Sequence, residues 1–192
     1  SIVNTSMATL FKKDWFGLLI VVVVSGLAIA AVKPAFLSSF NLYVLMVSTS
    51  YMLIIALAQM IIIAIGQMNL SVGAIGGLVA ISFSGLMEVH QISVPVAVLI
   101  SLVIGMTCGF LNGYITAKSG ISAFIITLAT LYIFKGINLG ITEAEPFYNI
   151  PETVKNFGNA KLGNTPIPFL IVIPIIITFL MWVFMNRTES GR

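Results

Sequence analysis

The stretch Gly66-Gln67-Met68-Asn69-Leu70-Ser71-Val72-Gly73 is a polar, glycine-containing interruption between two long apolar segments. Gly66 suits the end of a helix, because glycine adopts the left-handed conformation found there. Asn69 suits the start of the next helix, because its side-chain oxygen can accept hydrogen bonds from free backbone N–H groups, with Ser71 in the first turn. Broken backbone at membrane depth is tolerated only when it is buried in protein or lines a cavity. The stretch is therefore either such a break or an ordinary turn at the membrane surface.

The segments on both sides of this stretch predict a polytopic membrane protein. Of the 192 residues, 59% are hydrophobic and 8% are charged, and the mean hydropathy of +1.11 is far above that of soluble domains. A bilayer core about 30 Å thick requires about 20 apolar residues in a helix. The predicted fold class is all-α, a transmembrane helical bundle. It contains about six predicted spans, which cover residues 15–32, 43–65, 70–87, 94–117, 121–141 and 167–185.

The positions of lysine and arginine predict a cytoplasmic N-terminus, because cytoplasmic segments carry an excess of these residues. The cations that this orientation places inside are Lys12, Lys13, Lys118, Arg187 and Arg192, and those that it places outside are Lys33, Lys155 and Lys161. The formal net charge of +3 is explained by this topology. No basic cluster is dense enough to indicate binding of nucleic acid.

The longest connection, residues 142–166, lies outside in this topology. Its proline and glycine positions predict a short helix from residue 151 to 157. The connection carries charges of both signs, at Glu143, Glu145, Glu152, Lys155 and Lys161. Two interpretations remain open for it, a contact surface for a partner or a solvated lid over the bundle.

Glycines recur four residues apart within three of the predicted spans and therefore share a helix face in each. Small residues let helices approach closely in lipid, where hydrophobic association between helices is weak. We therefore predict a helix-packing role for Gly73, Gly77, Gly105, Gly109, Gly113, Gly136 and Gly140.

The polar residues within the spans are almost all neutral. They include Gln59, Ser71, Asn112 and Thr127, whereas the predicted spans contain no Asp, Glu or His, and Lys135 is their one cation. A proton-coupled carrier usually keeps a titratable group at membrane depth. The pattern favours passage of a neutral or polar solute along hydroxyl and amide groups, with energy supplied by another protein.

Three motifs resemble the sugar-type permease subunits of bacterial ABC importers, the ribose, xylose and galactose group that shares ancestry with branched-chain amino-acid permeases. The first is the stretch from Gly66 to Gly73, which resembles the signature Gly-Gly-Ile-Asp-Leu-Ser-Val-Gly. The others are Gly109-Phe110-Leu111-Asn112-Gly113 and Phe124-Ile125-Ile126-Thr127-Leu128. The closing residues, Arg187 to Arg192, resemble the family's entry into its main cytoplasmic loop.

The resemblance implies that residues 1–192 are the N-terminal part of one transmembrane permease domain in the bacterial inner membrane. It also implies four kinds of partner: a second permease subunit, identical or paralogous; cytoplasmic ATPase subunits; an external solute-binding protein that docks on residues 142–166; and membrane lipid. Family members are longer, so the chain is expected to lack a C-terminal half. Gln67 and Asn69 replace the signature's glycine and aspartate, which removes a carboxylate and keeps hydrogen-bonding capacity.

We predict that the pathway for a sugar or similar small polar solute is formed or braced by Gln67, Asn69, Ser71, Asn112 and Thr127. The chain is not expected to be an enzyme or to hold a cofactor or metal, and it has no Gly-x-x-x-x-Gly-Lys-Ser/Thr phosphate loop. The alternatives are an ion-coupled secondary transporter, an intramembrane protease that would use a serine and His90, and a purely structural subunit. The sequence leaves the solute unidentified.

Overall fold

The computed structural model describes residues 14–163 and 165–187, with side chains from Phe16 onward. The predictions for Lys12, Lys13 and residues 188–192 lie outside this part of the chain. The described residues form seven α-helices, which are α1 (Asp14–Val32), α2 (Ser39–Ala64), α3 (Val72–Glu88), α4 (Val94–Ser119), α5 (Ala123–Thr142), α6 (Glu152–Asn159) and α7 (Val172–Arg187). Short 3₁₀ helices, Pro34–Leu37 and Phe169–Ile171, precede α2 and α7.

Four of these segments are long and apolar enough to cross a membrane. They are Ser39–Ala64, Val94–Ser119, Ala123–Thr142 and Phe169–Arg187. The apolar segments Phe16–Val32 and Val72–Glu88 are shorter, and at 1.5 Å per residue α3 is about 26 Å long. The prediction of an all-α polytopic bundle is confirmed, and α3 and the described apolar part of α1 are shorter than a typical span.

Local sequence signals set most of the helix ends. Pro34 follows α1 and starts the first 3₁₀ helix, in keeping with proline's preference for a first helical turn. Ser38 Oγ accepts a hydrogen bond from the N–H of Asn41 at 3.3 Å and caps α2. Gly120 ends α4 in the left-handed conformation, with φ of +68°, and Ser122 then caps α5.

Four helices begin two or more residues away from their predicted positions, among them α5 at Ala123 instead of 121 and α7 at Val172 instead of 167. The second helix starts at Ser39, before the predicted residue 43, and Ser38 caps it. The third starts at Val72, after the predicted residue 70, and the N–H of Leu70, which precedes it, donates to the hydroxyl oxygen of Thr127 at 3.0 Å. The short external helix is observed at Glu152–Asn159, close to the predicted 151–157.

The centre of the bundle is formed by α3, α4 and α5, which pack against one another. A cluster of buried side chains at this junction contains Ala74, Leu78, Cys108 and Phe134. Outside this centre, α2 packs mainly against α7, and α1 contacts chiefly the first 3₁₀ helix. Many long apolar side chains of α1 are exposed, for example Leu18 and Val22. Such a surface fits lipid or a partner helix.

Only two of the seven glycines predicted to pack helices have a close neighbour outside their own helix among the described residues. A Cβ atom on Gly77 would lie 3.1 Å from Asn138 Nδ2, and one on Gly105 would lie 3.0 Å from Val79 Cγ2. These contacts join α3 to α5 and α4 to α3. A Cβ atom would meet no such heavy atom within 4 Å at Gly73, Gly109, Gly113, Gly136 or Gly140. A packing role for these five remains a prediction.

The end of α2 is a Schellman motif centred on Gly66. The residue has φ of +73°, its N–H donates to the carbonyl oxygen of Ile63 at 2.9 Å, and the N–H of Gln67 donates to that of Ile62 at 3.0 Å. This pair of hydrogen bonds satisfies two of the carbonyl groups that a helix end leaves free. The motif turns the chain into the break, residues 65–71.

Replacing Gly66 with alanine is expected to destabilise the chain by about 1–2 kcal/mol, because an L side chain is strained at positive φ. The measurement is the thermal unfolding midpoint of the detergent-solubilised chain. Gly136→Ala is the matched control, since Gly136 is helical and has open space at its Cβ position. The midpoint should fall for Gly66→Ala and hold or rise for Gly136→Ala, whereas equal midpoints would contradict the role of Gly66.

Candidate functional site

Asn69, Ser71 and Asn112 form a continuous chain of hydrogen bonds at the break. Asn69 Oδ1 accepts from the N–H of Ser71 at 2.9 Å and from its hydroxyl at 2.8 Å. Ser71 Oγ in turn accepts from Asn112 Nδ2, in α4, at 2.8 Å. Ser71 is fully buried and Asn112 is 4% exposed. The network therefore joins the start of α3 to α4 inside the bundle.

Thr127 holds the break from the side of α5. Its hydroxyl oxygen accepts from the N–H of Leu70 at 3.0 Å and donates to the carbonyl oxygen of Ala123 at 2.7 Å. The second bond is the common contact of a threonine with its own preceding helical turn. The first satisfies a backbone N–H that lies between helices. Thr127 therefore stabilises both its own helix and the break.

Gln59 of α2 contacts the break from a third direction. In the amide orientation that satisfies both of its polar atoms, Gln59 donates to the carbonyl oxygen of Asn69 and accepts from the N–H of Asn69, at 3.3 Å each. The sequence prediction did not include Gln59 among the pathway residues. Gln59 could have been identified from its position, because an amide side chain within an otherwise apolar span needs a hydrogen-bonding partner in the protein.

The break is embedded beside α4 and does not lie level with the end of that helix. Asn112, which binds Ser71, precedes the end of α4 at Ser119 by two turns, or about 10 Å of helix. Backbone at this depth needs protein partners for its polar groups, and Gln59, Ser71 and Thr127 are among those partners. Of the two interpretations from the sequence, this geometry favours the buried break.

A cavity of about 350 Å³ lies against the break. Four of the five predicted pathway residues line it, namely Gln67, Asn69, Asn112 and Thr127, while Ser71 is buried behind them. The remaining walls come from Ile62, Ile65, Gly109, Gly113, Thr116, Ala117 and Ala123. None of these residues is charged, so the cavity offers a lining of apolar groups, amides and hydroxyls.

One buried polar atom of the residues that line the cavity lacks a hydrogen-bond partner. Three buried side-chain atoms of the described residues have no hydrogen bond, namely Ser101 Oγ, Asn112 Oδ1 and Asn138 Oδ1, and of these residues only Asn112 lines this cavity. Burying an unpaired acceptor costs about 1–3 kcal/mol. The amide of Asn112 therefore uses its donor for Ser71 and keeps an acceptor free.

The external connection folds back onto the outer end of α3. The carboxylate of Glu88 accepts from the N–H of Asn149 at 2.9 Å and from its Nδ2 at 3.4 Å. The ring of Phe147 lies over Gly85, where a Cβ atom would be 3.2 Å from it. These contacts fasten residues 147–149 to the bundle. No pattern in the sequence predicts this long-range pairing.

The charged residues of the external connection are exposed. None of the five predicted docking residues, Glu143, Glu145, Glu152, Lys155 and Lys161, has an ion-pair partner within the described residues. The ammonium group of Lys161 lies 5.3 Å from the centroid of the Tyr43 ring, a cation–π contact that holds the connection near the start of α2. Lys155 is therefore the freer of the two lysines for an intermolecular contact.

Comparison with known proteins identifies a family of membrane permeases. A family model described as the permease component of the branched-chain amino acid transport system matches residues 41–192. The autoinducer 2 import system permease protein LsrD of Photorhabdus temperata is 35% identical over 130 residues, which cover 65% of this chain and 38% of that protein. LsrD of Yersinia pseudotuberculosis serotype O:1b is 34% identical over the same share of each chain.

The matched region therefore spans less than half of the length of these relatives. No solved structure matches the chain.

Replacing Ser71 with alanine is expected to destabilise the chain by about 1–3 kcal/mol, because Asn112 Nδ2 then loses its acceptor in a buried position. Ser84→Ala is the matched control, since its hydroxyl donates only to the carbonyl oxygen of Ala80 in the same helix, at 3.0 Å. Thermal unfolding in detergent compares the two variants. Equal stability of both would show that the hydrogen bonds at the break contribute little.

Proposed function

Because the chain belongs to the permease family of the branched-chain amino acid transport system, we propose that it forms part of the translocation pathway of a bacterial ABC importer. The cargo would be a sugar or a similar small polar solute. Both relatives described above are named as import permeases for autoinducer 2. The chain is a multi-pass membrane protein. In this proposal it lies in the inner membrane of a bacterial cell, with its N-terminus on the cytoplasmic side.

The observation that carries the proposal is the hydrogen-bonded break beside an uncharged cavity. Broken helices that line cavities are a recurring element of solute pathways in transporters. Gln67, Asn69, Asn112 and Thr127 line the cavity, and Ser71 fixes two of them through its hydroxyl. We assign the first four residues to the pathway and Ser71 to bracing it.

The uncharged lining supports a neutral cargo and an external source of energy. A charged solute would lose hydration in this cavity without meeting an opposite charge. The cavity also lacks a titratable group that could couple solute movement to protons. In the proposal, separate cytoplasmic ATPase subunits bind and hydrolyse ATP, and this chain performs no catalysis and binds no nucleotide.

A complete transporter of this kind needs further subunits. The chain would pair with a second permease subunit, either a copy of itself or a paralogue, and the two would enclose the pathway. An external solute-binding protein would dock on the external connection, where Glu143, Glu145, Glu152 and Lys155 are exposed. Complementary charges at such a contact contribute chiefly to specificity and to the rate of association.

Asn69→Ala in the assembled transporter is expected to reduce solute uptake several-fold while the amount in the membrane is maintained. Alanine removes the acceptor that orients Ser71. Asn69→Asp is the matched control, since a carboxylate keeps an acceptor at this position and is favourable near a helix N-terminus. Normal uptake by Asn69→Ala, at a normal level in the membrane, would remove Asn69 from the pathway.

Lys155→Glu is expected to weaken the stimulation of ATP hydrolysis by the solute-binding protein, since it reverses an exposed charge on α6. The effect should diminish at high salt, which screens exposed charges. Lys33→Glu reverses an exposed charge in a different connection and should leave the stimulation nearly unchanged. An equal response of both variants would leave the connection as a lid without a docking role.

A further inference from the structure

Gly109 and Gly113 stand beside Asn112 on α4 and belong to the cavity wall. A Cβ atom on either glycine would meet no heavy atom within 4 Å beyond its own helix and chain neighbours. This open space distinguishes them from Gly77 and Gly105, whose Cβ positions lie 3.1 Å and 3.0 Å from side chains of neighbouring helices. Within the described residues, Gly77 and Gly105 therefore lie against side chains of neighbouring helices, whereas Gly109 and Gly113 border the cavity.

The threonine hydroxyl groups and the side-chain oxygen of Asn69 around this space are already hydrogen-bonded. The hydroxyl of Thr116 donates to the carbonyl oxygen of Asn112 at 2.7 Å, and that of Thr127 donates to Ala123. Asn69 Oδ1 accepts twice from Ser71. Asn112 Oδ1 alone among the buried side-chain atoms of this wall has no partner. Its chemistry is that of a hydrogen-bond acceptor.

We propose that Gly109 and Gly113 are specificity-determining residues that admit a hydroxyl group of an uncharged solute to Asn112 Oδ1. This inference rests on the proposed function and adds the residues that select the solute. The absence of side chains at the two glycines widens the cavity. The unpaired oxygen of Asn112 orients the solute, because it can bind only a hydrogen-bond donor. Because Gly109 and Gly113 line the cavity, a bulky side chain at either position is expected to narrow it.

The size and lining of the cavity agree with this assignment. Its volume of about 350 Å³ lies within the range of about 300–1,000 Å³ that is typical of small-molecule sites. Apolar walls with few polar groups are also typical of such sites, where the polar groups fix the orientation of the ligand. A hydroxyl-bearing neutral molecule satisfies the acceptor without bringing an uncompensated charge into the bundle.

Substitution of the two glycines by valine tests whether the width of the cavity limits transport. The assembled transporter is reconstituted in vesicles with its ATPase and binding protein. Gly109→Val and Gly113→Val are expected to lower the ATP-driven uptake of ribose, xylose or galactose by about tenfold or more, the size of effect that one methylene can have in a specific pocket. Gly136→Val is the matched control, since Gly136 is helical, has open space and lies outside the cavity wall.

Co-purification of the partner permease separates this role from helix packing. The Gly109 and Gly113 variants should assemble normally and transport poorly. Loss of assembly in these variants would overturn the proposal and assign the two glycines to an interface between subunits. Unchanged uptake would overturn it as well.

Thiol labelling tests the cavity without requiring transport. Gly113→Cys and Gly136→Cys are prepared in a Cys108→Ser background, and each is treated with a water-soluble maleimide in the assembled transporter. The cysteine at position 113 should react several-fold faster, because Gly113 lines the cavity, which a water-soluble reagent can enter, and Gly136 does not. Ribose, xylose or galactose should slow this reaction, and gluconate at the same concentration should not.

The labelling also distinguishes the inference from the proposed function. Labelling at position 113 that a neutral sugar slows, in a preparation without ATP-driven uptake, would support the inference and contradict the importer. Absence of labelling, or labelling that none of the three sugars slows, would overturn the inference even if transport is intact.

Discussion

The structure depends on satisfying the backbone of residues 65–71 within a bundle that is otherwise apolar. In a helix, the backbone N–H and C=O groups form hydrogen bonds with one another. A break leaves such groups without partners, and lipid supplies none. Here the side chains of Asn69, of Gln59 in α2 and of Thr127 in α5 form hydrogen bonds with backbone groups of the break. Asn112 of α4 joins through Ser71. Four helices therefore meet at one short segment, and the position of each is tied to the others through it.

This arrangement also explains why the site is neutral. Amides and hydroxyls can both donate and accept, so they can close a network without leaving a charge in a low-dielectric interior. Asn69 stands where the resembling signature has an aspartate, and its single side-chain oxygen accepts both hydrogen bonds from Ser71. Among the buried side-chain atoms of this network, only Asn112 Oδ1 has no hydrogen bond within the described residues. The amides and hydroxyls of the wall, Gln67, Asn69, Asn112, Thr116 and Thr127, give the cavity its polarity.

The sequence predicted the parts of the fold that depend on local chemistry. Apolar length identified the helices, Gly66 marked the end of α2, and Asn69 was predicted to serve the start of α3. It did not predict that Thr127 would bind Leu70, 57 positions earlier, or that Glu88 would hold Asn149, 61 positions later. Such contacts depend on how the helices pack, which a single sequence does not specify.

The glycines also show that a single sequence does not specify which helix faces meet. Gly105 and Gly109 are four residues apart and share the same spacing signal, yet one lies against Val79 and the other faces open space. Periodicity identifies a helix face, but it does not say what lies opposite that face.

The most direct test of the account is a cryo-electron microscopy structure of the assembled transporter in a lipid nanodisc with its solute. The account predicts that the cavity beside Asn69 and Asn112 opens onto the central pathway between the permease subunits and contains water or solute. Density for acyl chains within the cavity, with Asn69 and Asn112 on a surface that faces lipid, would contradict it.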